Sequence, residues 1–170
     1  GDSDRQFKVY MGRATYGNKL SRDDFQLNDY DQIECSYQLD NEPILFTPIS
    51  MGNPHAVVFV DDVNAVDLER LGPLAETHVY FPNRVNTEFV QVVDDSNLIM
   101  RVWERGVGET MACGTGACAS VVAGWLNKKC FNKATVQLDG GELVISFDED
   151  THEVIMIGPA VYMESSYFDI

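Results

Sequence analysis

The segment Ala117-Cys118-Ala119-Ser120-Val121-Val122-Ala123-Gly124-Trp125-Leu126 is apolar on nearly every face at helical spacing, and it constrains the fold more than any other stretch. A helix without a polar stripe has to be covered on all sides, and a curved sheet wrapped around it is the simplest cover. The rest of the chain supplies the strands. Gln6 to Met11, Ile33 to Leu39, Pro43 to Ser50, Ala56 to Val60, Thr87 to Val93 and Leu98 to Glu104 are rich in β-branched or aromatic residues and bounded by Gly, Asn, Asp or Pro. Ala134 to Leu138, Glu142 to Phe147, Glu153 to Ile157 and Val161 to Tyr167 follow, with Gly140-Gly141 and Asp148-Glu149-Asp150-Thr151 as hairpin turns. A second helix is expected from an N-cap at Asp67 toward Glu76, broken or kinked at Gly72-Pro73. The fold class expected is α/β of the α+β kind, a mixed and mainly antiparallel β-sheet rolled around a central buried helix from Gly114 to about Asn127.

The start of that helix carries the chemistry. Cys113 precedes Gly114-Thr115-Gly116, so its thiol faces a helix N-terminus, where unpaired N–H groups and a partial positive charge favour a thiolate or an anionic ligand group. The glycines allow close approach of a ligand to the backbone. On this reasoning Cys113 is the most reactive of the four thiols, with a pKa below the ordinary value of about 8.5. A nearby Glu104 carboxylate acts in the opposite direction. Cys35, Cys118 and Cys130 read as ordinary buried cysteines.

Composition narrows the partners. The 170 residues include 27 acidic against 12 basic side chains, a net charge of −15 that repels polyanions and leaves no basic stripe for nucleic acid. No apolar run approaches the roughly 20 residues of a membrane span and no signal peptide opens the sequence, so the chain reads as a cytoplasmic globular protein with free thiols. No metal site is expected, because Cys113 and Cys118 lie about 140° apart around one helix and the three histidines are scattered.

Three other segments present polar side chains at strand ends. Met51-Gly52-Asn53-Pro54-His55 forms a turn that either presents Asn53 and His55 to a ligand or is simply a turn. Asn86 precedes a strand and either caps it or binds something, and Glu104-Arg105 ends a strand as either a site or a surface ion pair. Taken together, Met51 to His55, Phe81-Pro82-Asn83-Arg84-Val85-Asn86 and the run Glu104-Arg105-Gly106-Val107-Gly108-Glu109-Thr110-Met111-Ala112-Cys113-Gly114-Thr115-Gly116 resemble the diaminopimelate epimerase family, in order and in spacing.

The resemblance implies a cofactor-independent epimerase that interconverts LL- and meso-diaminopimelate with two cysteines, for lysine and cell-wall precursor synthesis. It implies two pseudo-symmetric lobes, with residues 1–170 as the C-terminal lobe, residues from about 160 as a strand packing on the other lobe, and a missing N-terminal lobe as partner that brings the second cysteine. Cys113 is implied as a catalytic cysteine, with His55 and Glu104 tuning acidity. Asn53, Asn86, Glu104 and Arg105 are implied to read the distal end of the substrate, and the N–H groups of Gly114 and Thr115 to hold its reacting carboxylate. The segment Met163-Glu164-Ser165-Ser166 departs from the aromatic-glycine ending usual in the family, which leaves a homodimer open. Other readings are a proline- or histidine-type racemase, or a non-catalytic binding or assembly module of the same fold.

Overall fold

The computed structural model describes residues 5–159. Ten strands form one sheet: β1 (Gln6–Arg13), β2 (Cys35–Leu39), β3 (Glu42–Ser50), β4 (Pro54–Phe59), β5 (Asn86–Asp94), β6 (Asn97–Glu104), β7 (Gly108–Thr110), β8 (Lys133–Leu138), β9 (Gly141–Phe147) and β10 (Glu153–Pro159). The order across the sheet is β1-β10-β9-β8-β6-β5-β4-β3-β2, with β7 paired to β6. Two pairs are parallel, β4 with β5 and β6 with β8; the other pairs are antiparallel. A parallel pair needs a long crossover. Helix α1 (Leu68–Glu76) lies in the first crossover and helix α2 (Gly114–Leu126) in the second.

The two helices take opposite faces. Helix α2 packs against β3, β4, β5, β6, β8, β9 and β10, and every residue from Gly114 to Gly124 is buried. Beyond β1, Ala14 N–H donates to the His152 carbonyl and Thr15 pairs with Ser50 of β3, so the strands curl around α2 from both sides. At the far end of α2, Asn127 Nδ2 donates to Thr47 Oγ1 of β3 at 2.9 Å. Helix α1 covers the outer face with a second core that includes Phe25, Phe46, Phe81 and Phe89. Strand β4 accordingly alternates Val57 toward α2 with Ala56 and Val58 toward α1, and reads as a continuous apolar run because it is covered on both sides.

The sheet rolled around one buried helix is the architecture expected from the sequence. Gly72-Pro73 does not break α1, which continues through Pro73 to Glu76. Gly72 is required there because a Cβ would lie 2.2 Å from the Trp103 indole that packs on it. The short strand β7 lies outside the strands expected from the sequence, since three residues carry no periodicity. The strand expected over Val161 to Tyr167 lies outside the described residues.

Candidate active site

Cys113 is the N-cap of α2, and its Sγ accepts the Gly116 N–H at 3.3 Å. A cysteine sulfur thus replaces the serine or aspartate oxygen usual at a helix start. The N–H groups of Gly114 and Thr115 belong to the first helical turn, which has no intrahelical acceptors. Thr115 Oγ1 lies 3.6 Å from Cys113 Sγ.

Strand parity gathers the polar side chains around this thiol. His55 and Val57 share the inner face of β4, and Asn86, Glu88 and Val90 share that of β5, because alternate residues face the same way. The parallel register sets His55 opposite Asn86, and the antiparallel β5 and β6 bring the end of β6, with Glu104, alongside. His55 Nδ1 lies 2.6 Å from Glu88 Oε1 and its Nε2 lies 3.1 Å from Asn53 Oδ1. Asn53 Nδ2 donates to Thr115 Oγ1 at 3.3 Å. Thr110 Oγ1 donates to Glu104 Oε1. Asn86 is held by backbone on both sides of its amide, donating to the Pro54 carbonyl at 3.1 Å and accepting the Arg105 N–H at 2.8 Å. Arg105 itself sits at the rim, with Nη1 donating to the Asn83 carbonyl at 3.2 Å.

All the residues singled out from the sequence, Asn53, His55, Asn86, Glu104, Arg105, Cys113, Gly114 and Thr115, therefore meet at one end of the rolled sheet. Two carboxylates absent from that reading join them. Glu88 is fully buried against His55, and parity could have found it, being two residues beyond Asn86 on the same face. Glu76, at the end of α1, accepts from Trp103 Nε1, the Gly106 N–H and Arg84 Nη1 and so pins the turn that carries Glu104 and Arg105. No sequence signal marks Glu76.

The electrostatics correct the expectation for the thiol. Cys113 is 2% exposed and its pKa is pushed well above the ordinary value, first by burial and then by whatever negative charge Glu88 and Glu104 carry, against weaker pulls from Thr115 and the Gly116 N–H. All four cysteines are free and buried, so an open, acidified Cys113 is not what this chain presents. Desolvation outweighs the helix terminus here, and both carboxylates are delivered by tertiary pairing. Glu88 is likewise pushed up, mainly by burial and partly offset by His55. The clefts around Tyr16 and His152, around Cys130 and Phe131, and around Arg70 and Pro43 are lined by none of Cys113, His55, Glu88 or Glu104.

The family model for diaminopimelate epimerase matches residues 47–163, which includes every residue of the cluster. Diaminopimelate epimerase of Agathobacter rectalis is 51% identical over 143 residues, covering 84% of this chain and 50% of that protein. The enzyme of the same name from Elusimicrobium minutum is 46% identical over 165 residues, covering 95% of this chain and 59% of that protein. The chain thus spans about half the length of the curated relatives it matches. Among solved structures, a probable proline racemase from Agrobacterium radiobacter K84 superposes with a TM-score of 0.64 at 12% identity, covering 91% of this chain and 50% of that one, a likeness of fold alone. Because the matched segment holds the cysteine turn, the Asn-Pro-His turn and the strand ends that converge on one thiol, the chain belongs to the diaminopimelate epimerase family.

Proposed function

We propose that this chain is the C-terminal lobe of a cofactor-independent epimerase that interconverts LL- and meso-diaminopimelate. The observation that carries the reading is Cys113 at the N-cap of α2, with Thr115 3.6 Å from its sulfur, the Glu88 and Glu104 carboxylates acting on it, and His55 and Asn53 linked to Thr115. In this role the Cys113 thiolate removes the α-proton while the N–H groups of Gly114 and Thr115 hold the adjacent carboxylate, which stabilises charge as it develops on the carbanion. Inversion needs an acid on the opposite face of the carbon. Cys118 is no candidate, since five residues of helix place it about 7.5 Å along and 140° around α2. The opposing cysteine comes from a further lobe. Arg105, Asn53, Asn86 and Glu104 suit the zwitterionic distal end of the substrate. No helix among the described residues is long and apolar enough to cross a membrane, and free buried thiols fit a cytoplasmic location.

The test is to follow chiral inversion and α-proton exchange with deuterium. The 170-residue chain alone is expected to be inactive, with activity returning when the other lobe is supplied in cis or by mixing. Sustained inversion by the purified chain, lost in Cys113→Ala, would end this division of labour. In the full-length enzyme Arg105→Lys mainly raises KM, since an ammonium does not replace a planar fork on a carboxylate. Glu104→Gln instead lowers kcat with an altered pH profile, and an unchanged kcat and profile would remove Glu104 from the catalytic set.

A further inference from the structure

Glu88 is buried at 0% exposure, and its Oε2 has no hydrogen-bond partner among the described residues. A bare carboxylate in that position would carry a large desolvation cost. The hydrogen bonds around it have a direction. Asn53 gives its Nδ2 to Thr115 Oγ1, so its Oδ1 faces His55 Nε2 and that nitrogen carries a hydrogen. At 2.6 Å, His55 Nδ1 and Glu88 Oε1 then need a further proton between them, because two lone pairs do not face one another at that separation. The pair holds one proton and has no net charge. Thr115 Oγ1, having accepted from Asn53, has its own hydrogen left for Cys113 Sγ at 3.6 Å.

We infer that Glu88 is a positioning residue for Cys113: it heads a hydrogen-bond chain, through buried His55 and half-buried Asn53, that turns the Thr115 hydroxyl hydrogen toward the Cys113 sulfur. Each link donates to the next, and the last one favours the thiolate. If the pair loses its proton, the chain reverses. His55 keeps its hydrogen on Nδ1 toward the Glu88 carboxylate, the Asn53 amide turns over to donate to Nε2, and the Thr115 hydroxyl donates to Asn53 Oδ1 instead of to sulfur. The thiol then has lost a donor and faces a charge: a Cβ added at Gly116 would lie 2.8 Å from Glu88 Oε1 and 3.1 Å from Cys113 Sγ, so these two atoms are within about 6 Å of each other. Glu104 of β6 is the other carboxylate acting on the thiol, and Tyr37 of β2 is a further titratable group acted on by the Glu88 charge. The chain thus makes the protonation of a buried pair on β4 and β5 decide the strength of a base on α2. Its consequence for catalysis rests on the epimerase reading; its effect on the thiol does not.

The experiment measures alkylation of Cys113 by iodoacetamide with mass mapping, as a ratio to the fully buried Cys118, so that a change in global opening cancels. Thr115→Val is expected to lower the ratio at least tenfold, as loss of a hydrogen bond to a charged group does. Glu88→Leu should lower it by a comparable factor, and the double variant should fall no further than either single one, since both cut the same chain. Glu88→Gln, which still donates to His55 Nδ1, should keep the ratio. An unchanged or raised ratio in Glu88→Leu, multiplicative losses in the double variant, or a loss in Glu88→Gln equal to that in Glu88→Leu would each overturn the inference. In the unsubstituted chain, 15N NMR of histidine should show His55 protonated at Nε2, and a bare Nε2 at neutral pH would overturn it without any variant. Diaminopimelate turnover is not read in these measurements, so failure of the epimerase reading and failure of the chain are separate results.

Discussion

On the epimerase reading, Cys113→Ala in the full-length protein is expected to abolish inversion of diaminopimelate in both directions, with kcat/KM falling by at least about 10²–10⁴-fold, the range for loss of a positioned acid or base. Both directions fail because the thiol that removes the α-proton from one stereoisomer is the acid that re-forms that same stereoisomer when the reaction runs the other way. The protein is expected to stay folded. The substitution removes a buried sulfur and its bond from the Gly116 N–H, a cap whose loss costs about 1 kcal/mol. Cys118→Ala is the matched control, because it removes a sulfur from the same helix and the same core but away from the site. Chiral chromatography of product from both stereoisomers checks the result. Equal losses in the two variants would mean that packing rather than chemistry is being read.

The chain is also expected to lose stability in mild alkali. Burial pushes Cys118 up to about 12 and Cys35 and Cys130 each to about 11, and Cys113 rises well above its ordinary value. A group whose folded pKa is raised keeps its proton in the native state while the unfolded chain has already lost it. The stability it contributes is therefore complete below the unfolded value of about 8.5 and is lost as pH rises toward the folded value. Each fully buried thiol removes up to about 1.4 kcal/mol per pH unit in that window. Cys113 and Cys118 together remove about 2.7 kcal/mol per unit, against a total stability of about 5–15 kcal/mol. Urea midpoints at pH 8 and pH 10, a span of about two units across that window, test this. Cys118→Ala should be less stable at the lower pH through its cavity yet show a flatter pH dependence, and an equal slope in both proteins would contradict the assignment.

The N-cap geometry of Cys113 was legible because small residues followed by an all-apolar run permit few placements. The convergence of Asn53, His55, Asn86, Glu104 and Arg105 was legible only as a resemblance, for they are spread over some fifty residues and no local spacing links them. Glu88 was missed although it obeys the same strand parity as Asn86, because a single carboxylate in a strand reads as a solvent-facing position until a helix is laid across it. The acidity of Cys113 was misjudged for the same reason.

What the sequence determined by itself is the set of local choices: a helix that must be wrapped, strands with alternating faces, a cysteine at a helix start. Periodicity and capping act within a few residues, so they are written in the chain. Only the tertiary structure decided that β4 and β5 pair in parallel and that β6 returns beside them, and this pairing puts His55, Glu88 and Glu104 around one sulfur. Burial and charge at that sulfur depend on which residues share a face across different strands, and such neighbours are fixed by register rather than by sequence distance.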